Sequence, residues 1–193
     1  MINEEGWRLL ESRTLFQNSH LEVHQEKVTI GGTTTVRDWT VVRRKKAVVI
    51  CPITEQGRFV LIHQARIPVQ KWLWEFPAGQ VDDSMDPDLE VLTATALREL
   101  TEESGYELTD AGELINLGHY YASPGFTDER QHLFLARPVK ANGSGARIDA
   151  SETIVEAREF TLEQLRSMIA GNIIQDANTL ALFARLIARG LIG

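Results

Sequence analysis

Three glutamates in the segment Arg98–Glu103 are the residues whose type and spacing indicate chemistry. Glu99, Glu102 and Glu103 lie at positions i, i+3 and i+4, so on a helix their carboxylates share one face. Like charges at this spacing repel by roughly 0.2–0.5 kcal/mol per pair in an isolated helix. A divalent cation removes that repulsion, and carboxylate oxygens suit Mg²⁺ or Mn²⁺, which also bind phosphates. The alternative interpretation is a solvated acidic face.

A helix that can carry these glutamates is predicted between residue 86 and Gly105. Asp86 is expected to cap it, Pro87 suits its first position, and Gly105 is a natural C-terminal stop. Four apolar side chains recur at helical spacing and predict a buried stripe. They are Leu89, Leu92, Ala96 and Leu100.

The chain before this helix has the pattern of β-structure. An antiparallel segment is predicted from Ser12 to Val42, with a turn at Gly31-Gly32. A strand that follows Lys46 and ends near Ile53 is predicted to form a core hairpin with residues 59–64. These predicted strands therefore precede the acidic helix along the chain.

Strands and helices also alternate after Gly105. Strands are predicted at 114–121, 131–138 and 154–160, and a final helix at 176–188. Thr161 with Gln164 resembles a capping box that opens a helix to about Ala170. The whole pattern predicts an α+β fold with helices around a mixed β-sheet.

Composition narrows the class of protein. The 193 residues include 20 Lys and Arg against 27 Asp and Glu, a net charge of −7, which argues against nucleic-acid binding by bulk charge. The single cysteine, Cys51, excludes an internal disulfide and a cysteine zinc site. No apolar run approaches a membrane span, and Met1–Glu5 lacks the basic start of a signal peptide. We expect a cytoplasmic protein that does not associate with membranes.

The acidic helix and its flanks resemble the Nudix hydrolase signature. In that signature a Gly is followed at set distance by Glu, and then by Arg-Glu-apolar-x-Glu-Glu-x-Gly-apolar. The matching residues here are Gly79, Glu90, Arg98, Glu99, Leu100, Glu102, Glu103, Gly105 and Tyr106. Seven residues separate Glu90 from Arg98 as in the signature, whereas the ten between Gly79 and Glu90 are five more than usual. The resemblance implies an α/β/α sandwich in which a loop and helix present metal ions.

The same resemblance assigns roles to individual residues. Glu99 and Glu103 correspond to principal metal ligands, and Glu102 to a ligand or close supporter that also takes part in catalysis. Arg98 would orient the carboxylates, and Ala78 would offer its backbone carbonyl to a metal. Mg²⁺ is the expected cofactor, with Mn²⁺ as a possible substitute. The implied reaction is hydrolysis of a nucleoside diphosphate joined to another group.

Two further segments resemble ADP-ribose pyrophosphatases and related nucleotide-sugar hydrolases. The first is the Ser-Pro-Gly loop of Tyr121–Glu129, which implies substrate contacts at Ser123 and Gly125. Glu129 in that loop is expected to contact a metal, to hold the loop, or to form a surface salt bridge. A Pro-Gly pair is also common in ordinary turns.

The second segment runs from Leu61 to Gly79. The resemblance places Arg66 at the diphosphate or terminal ribose and Glu75 near the substrate, and a guanidinium suits phosphate oxygens. Trp72 and Trp74 are expected to be core or interface residues. Nothing in the sequence identifies the base, so a GDP-sugar hydrolase and a catalytically silent nucleotide sensor remain alternatives.

The general base is expected in the loop before the last core strand. Glu152 is the first candidate for a base or metal contact, and Asp149 and Glu156 are the alternatives. A charged loop that only keeps the protein soluble is the competing interpretation.

The N-terminal β extension, residues 1–44, resembles the extra sheet with which this subfamily forms an intertwined homodimer. It precedes the predicted Nudix domain, residues 45–193. In such a dimer Arg43 or Arg44 would reach a nucleotide in the neighbouring site. An independently folded lid is the alternative. The combined prediction is a homodimeric, metal-dependent pyrophosphatase that acts on ADP-ribose or a related nucleoside diphosphate sugar and gives a nucleoside monophosphate and a sugar phosphate.

Overall fold

The computed structural model describes residues 6–81, 86–146 and 153–193. In these ranges the chain forms two compact units. The first comprises residues 6–45 and 121–130, and the second comprises residues 46–120 and 131–193. The candidate base Glu152 and its alternative Asp149 lie outside the described residues.

The first unit contains an antiparallel sheet in the order β1-β2-β3. Its strands are β1 (Arg8–Gln17), β2 (Leu21–Thr29) and β3 (Arg37–Arg44). Gly31 and Gly32 follow β2 with φ of 60° and 72°, a conformation that glycine adopts without steric cost. The predicted antiparallel extension is confirmed, although its first strand begins four residues before Ser12.

The second unit is built on a mixed sheet in the order β10-β5-β4-β9-β8, with β6 paired to β5 and β7 paired to β4. Strand β4 is parallel to β9 and antiparallel to β5 and β7. The strands of this sheet are β4 (Ala47–Thr54), β5 (Phe59–Arg66), β6 (Lys71–Glu75), β7 (Ala78–Gln80), β8 (Tyr106–Tyr121), β9 (Arg130–Ala141) and β10 (Ile154–Phe160).

Helices cover both faces of this sheet. They are α1 (Leu89–Ser104), α2 (Leu162–Ala170) and α3 (Ala177–Ala188). Successive side chains of a strand point to opposite faces. Val48 and Ile50 accordingly belong to the core cluster that contains Leu92 of α1, whereas Val49 belongs to the cluster that contains Leu182 of α3. The α/β/α sandwich with a mixed sheet is confirmed.

The ends of α1 determine where its glutamates lie. Asp88, and not Asp86, caps the helix by accepting a hydrogen bond from the Val91 backbone N–H at 3.0 Å. The prediction for Asp86 was wrong because Pro87 precedes the cap instead of occupying the first helical position. Gly105 ends the helix as predicted, with a φ of 73° and its N–H bonded to the Thr101 carbonyl.

Other boundaries agree with the prediction to different degrees. Strand β10 and the capping box of Thr161 and Gln164 are confirmed. Strand β8 begins at Tyr106, eight residues earlier than expected, directly after α1 ends. The short strands β6 and β7 were not predicted. In the described ranges, no helix has the length and apolar character needed to cross a membrane.

Candidate active site

Two of the three glutamates in the segment Arg98–Glu103 are buried where α1 packs on β7. Glu99 is 4% exposed and Glu103 is 3% exposed, whereas the side chain of Glu102 is 39% exposed. Oε2 of Glu103 accepts a hydrogen bond of 2.7 Å from the Ala78 backbone N–H. A buried carboxylate is costly without such partners, so this bond holds Glu103 against β7.

Gly79 leaves the space that the Glu99 carboxylate occupies. A Cβ atom built on Gly79 would lie 2.0 Å from both Cδ and Oε1 of Glu99. The φ of Gly79 is not positive, so its backbone conformation does not explain the glycine. Close approach of the carboxylate explains the glycine at this position of the signature.

Arg98 bridges two of the glutamates. Its guanidinium donates to Oε1 of Glu99 at 2.5 Å and to Oε2 of Glu102 at 2.6 Å. Partial burial disfavours the charged guanidinium, but the two carboxylates outweigh this effect and raise the pKa of Arg98. Arg98 therefore contacts two of the carboxylates that it is predicted to orient.

Arg66 and Glu75 form a second charged pair in the same unit. Glu75 is 1% exposed, and the Arg66 guanidinium donates to both of its carboxylate oxygens, with distances of 2.9 Å to Oε1 and 2.5 Å to Oε2. Burial raises the pKa of Glu75, and the nearby Asp176 carboxylate raises it further, while Arg66 opposes both effects. The sequence singled out both residues but did not predict that they bind each other.

The segment from Glu75 to Gly79 connects the charged pair to the acidic helix. Glu75 binds Arg66 at one end of the segment, and Ala78 binds Glu103 near the other. Between them, the Pro77 carbonyl accepts a hydrogen bond from Ile50 of the central strand β4. Burial alone would lower the pKa of the Arg66 guanidinium, but Glu75 outweighs burial and raises it, with smaller contributions from Asp176 and Glu103. One fixed stretch of backbone therefore brings these predicted site residues together.

The donor set on α1 fits a hard divalent cation. Glu99 and Glu103 supply buried carboxylate oxygens beside the backbone of β7, which is the oxygen-rich chemistry that Mg²⁺ and Mn²⁺ prefer. In residues 6–81, 86–146 and 153–193, however, no three His, Cys, Asp or Glu side chains converge tightly enough to form a metal centre. Arg98 holds the Glu99 and Glu102 carboxylates in this arrangement.

The other predicted substrate residues lie in the first unit, where the Ser-Pro-Gly loop is attached to β3. The Ser123 carbonyl accepts hydrogen bonds from the amides of Phe126 and Thr127, and the Gly125 carbonyl accepts one from the Trp39 indole N–H. Arg44 forms an ion pair of 2.9 Å with Glu129, which is 8% exposed.

Neighbouring charges make the same connection between β3 and the loop. Arg43 pairs with both Glu26 and Asp128, at 2.7 and 3.1 Å. Burial disfavours the charged guanidinium of Arg43, but these two carboxylates outweigh burial and raise its pKa. Glu129 and Asp128 therefore anchor the loop to the N-terminal sheet.

Glu156, the alternative base candidate that lies in the described residues, has structural contacts. His63 stacks on Trp74 with ring centroids 4.5 Å apart, and Nδ1 of His63 lies 3.8 Å from Glu156. Glu156 also pairs with Arg158 at 2.8 Å. Cys51 is fully buried, and burial raises the pKa of its thiol.

Comparison with known proteins identifies the family. Residues 43–183 match the NUDIX domain, and this match covers more than half of the chain. The chain belongs to the Nudix family. The Nudix match includes β4 to α1 and therefore the whole segment that joins Arg66 and Glu75 to the acidic helix.

Individual relatives agree with this assignment. The chain is 30% identical over 173 residues to an ADP-ribose pyrophosphatase of Bacillus subtilis, covering 89% of this chain and 88% of the relative. It is 28% identical over 172 residues to a GDP-mannose pyrophosphatase of Cronobacter sakazakii, covering 82% and 85%. A crystal structure of an ADP compounds hydrolase superposes with a TM-score of 0.75 at 16% identity, covering 96% and 97%. The predicted Nudix family, fold and hydrolase class are confirmed, and the family generally uses divalent metal ions.

Proposed function

We propose that this Nudix protein hydrolyses the pyrophosphate bond of ADP-ribose or a related nucleoside diphosphate sugar, giving a nucleoside monophosphate and a sugar phosphate. The observation that carries the proposal is the Glu75–Gly79 segment, which joins the acidic face of α1 to the pair formed by Arg66 and the buried Glu75. A diphosphate needs both features, because its charge must be neutralised and its position fixed.

The acidic face of α1 is proposed to hold the cofactor, Mg²⁺ or alternatively Mn²⁺. Glu99, Glu103, Glu102 and the Ala78 carbonyl are the proposed ligands. Divalent cations at such a site neutralise the pyrophosphate and lower the pKa of the attacking water. The Ala78–Glu103 hydrogen bond keeps one carboxylate oriented, and Gly79 keeps the second close to the backbone.

Arg98 is proposed to bind these carboxylates when no cation is bound and to orient them. Its two short bonds offset part of the negative charge of Glu99 and Glu102. A cation that binds Glu99 competes with the guanidinium, and the side chains of Arg98 and Glu102 are 44% and 39% exposed, so both have room to change rotamer.

Substrate binding is proposed to involve Arg66 and Glu75. The resemblance in sequence adds Arg44, Ser123 and Gly125 as proposed substrate contacts. The Arg66 guanidinium is planar and carries several donors, so it can bind phosphate oxygens while it remains paired with Glu75. Glu152 is the proposed general base.

Three further proposals come from the sequence. The protein is a homodimer, the extension of residues 1–44 contributes to that dimer, and the enzyme is cytoplasmic. The exposed apolar side chains of β1, among them Leu9, Leu15 and Phe16, support the second proposal, because exposed apolar clusters often form interfaces.

A substrate panel with Mg²⁺ tests the proposed function. ADP-ribose, GDP-mannose, diadenosine polyphosphates and NADH are incubated separately with the protein, and the products are separated by ion-exchange chromatography. We expect the highest kcat/KM for ADP-ribose, with AMP and ribose phosphate as products. A preference for GDP-mannose would replace the ADP-ribose assignment, and nucleotide binding without turnover would identify a sensor instead of an enzyme.

A further inference from the structure

A buried hydroxyl on α3 touches the segment that connects the two halves of the site. Thr179 is 0% exposed and lies in the first turn of α3. Its Oγ1 accepts a hydrogen bond of 2.9 Å from the Phe76 backbone N–H. The same hydroxyl donates to Oδ2 of Asp176 at 2.8 Å, so its orientation is fixed by the residue that caps α3.

The contact reaches the main chain at Phe76, between the two residues that hold Arg66 and Glu103. Phe76 is fully buried, and it lies directly after Glu75 and two residues before Ala78. Glu75 holds Arg66, and Ala78 holds Glu103. A shift of the main chain at Phe76 therefore displaces both the proposed substrate contact and the proposed metal ligand.

The start of α3 contacts the same region at a second point. Gln175 accepts a hydrogen bond of 3.0 Å from Nζ of Lys71, at the beginning of β6. Strand β6 runs from Lys71 to Glu75, so Gln175, two residues before α3, contacts the side chain at its start, and Thr179 of α3 binds the main chain just after its end. Asp176 also contributes to the raised pKa of Arg66 and of Glu75, although burial and the pairing of these two residues have larger effects.

We propose that Thr179 is a positioning residue for the reaction: its hydroxyl, oriented by Asp176, fixes the main chain at Phe76 and thereby aligns the Arg66–Glu75 pair with the Ala78–Glu103 contact. Thr179 does not touch the reacting atoms in this proposal. The inference rests on the proposed function for its kinetic readout, and the tests below separate failure of one from failure of the other.

The main test replaces the hydroxyl by a methyl group of similar volume. Thr179→Val leaves the Phe76 N–H and the Asp176 carboxylate without this partner. We expect kcat/KM for ADP-ribose to fall about 10- to 100-fold, the range expected when reacting groups are misplaced by about 1 Å. KM and the Mg²⁺ concentration for half-maximal activity should rise while kcat falls, because both ends of the segment move. Thr179→Ser restores the hydroxyl and should restore all three quantities.

A matched control removes a similar buried hydroxyl far from β7. This hydroxyl belongs to Thr54, at the end of β4 that does not pair with β7. Thr54 is 5% exposed, and its Oγ1 accepts a hydrogen bond of 3.2 Å from the Arg58 backbone N–H. Seven residues of strand, about 23 Å, separate it from Ala47 beside β7. Thr54→Val should leave KM and the Mg²⁺ requirement unchanged. A general effect of losing a buried hydroxyl would instead be the same in both variants, and this result would overturn the inference.

Two further measurements keep the inference testable. If Thr179→Val does not fold, Asp176→Ser is the substitute variant. It keeps a capping residue for α3 but loses the carboxylate that orients Thr179, so KM should rise as expected for Thr179→Val. Hydrogen exchange of the Ala78 amide should accelerate in Thr179→Val and not in Thr54→Val, with or without activity. Wild-type protein that hydrolyses none of the panel would refute the proposed function alone, whereas unchanged kinetics and Ala78 exchange in Thr179→Val would refute this inference alone.

Discussion

Gly79→Ala should separate activity from folding. The added Cβ would lie 2.0 Å from the Glu99 carboxyl, and ordinary van der Waals contact begins near 3.4 Å, so the carboxylate must move by about 1.4 Å. The backbone of Gly79 accepts alanine, and the group that must move is the end of a flexible side chain. We therefore expect little loss of stability but a fall in kcat/KM of about 100-fold, equivalent to about 2.7 kcal/mol of transition-state stabilisation.

The assay measures AMP release from ADP-ribose over a series of Mg²⁺ concentrations, with urea unfolding in parallel. The half-saturating Mg²⁺ concentration should rise in Gly79→Ala. A double-mutant cycle supplies the control, because in a Glu99→Ala background the new methyl group has no carboxylate to displace and should cost nothing further. Equal losses from Gly79→Ala in both backgrounds would refute the steric explanation, as would wild-type Mg²⁺ dependence.

Three other predictions concern separate parts of the chain. In Glu103→Gln the side chain can still accept the Ala78 hydrogen bond but has lost its charge, so turnover should fall at least ~10²-fold. The control Glu163→Gln changes an exposed glutamate on α2 and should keep wild-type kinetics. The buried Cys51 thiol stays protonated at pH values where the thiol of the unfolded chain ionises. Above pH ~8.5 the unfolding free energy of the wild type should therefore fall relative to that of Cys51→Ala, by up to about 1.4 kcal/mol per pH unit. Urea unfolding measured at several pH values tests this, and the same pH dependence in both proteins would contradict it. Phe16→Asp should shift the sedimentation coefficient from dimer to monomer, and an unchanged dimer would exclude the exposed face of β1 as the interface.

Local patterns predicted the elements that have strong end signals. Gly105 ends α1 because its positive φ and lack of a side chain suit that position, and Thr161 with Gln164 begins α2 through a reciprocal capping box. The acidic face of α1 followed from helical periodicity alone. The cap of α1 was misplaced because Asp86 and Asp88 are both good capping residues, and only the geometry of the Val91 amide distinguishes them.

Contacts between distant segments were not predictable from local sequence. Thr179 and Phe76 are 103 positions apart, and no periodicity connects them. Strands β6 and β7 are too short for a pattern of alternation, although they carry Glu75, Ala78 and Gly79. The Arg66–Glu75 pair depends on the β5–β6 register, which is known only once β6 is recognised.

Electron density from a crystal soaked with Mn²⁺ and a non-hydrolysable ADP-ribose analogue tests the central claim most directly. An anomalous peak should appear between the carboxylates of Glu99 and Glu103, within about 2.0–2.5 Å of their oxygens. The diphosphate should lie between this peak and the Arg66 guanidinium. A bound analogue with no anomalous peak on α1, and with Arg98 still bonded to both Glu99 and Glu102, would contradict the proposed metal site.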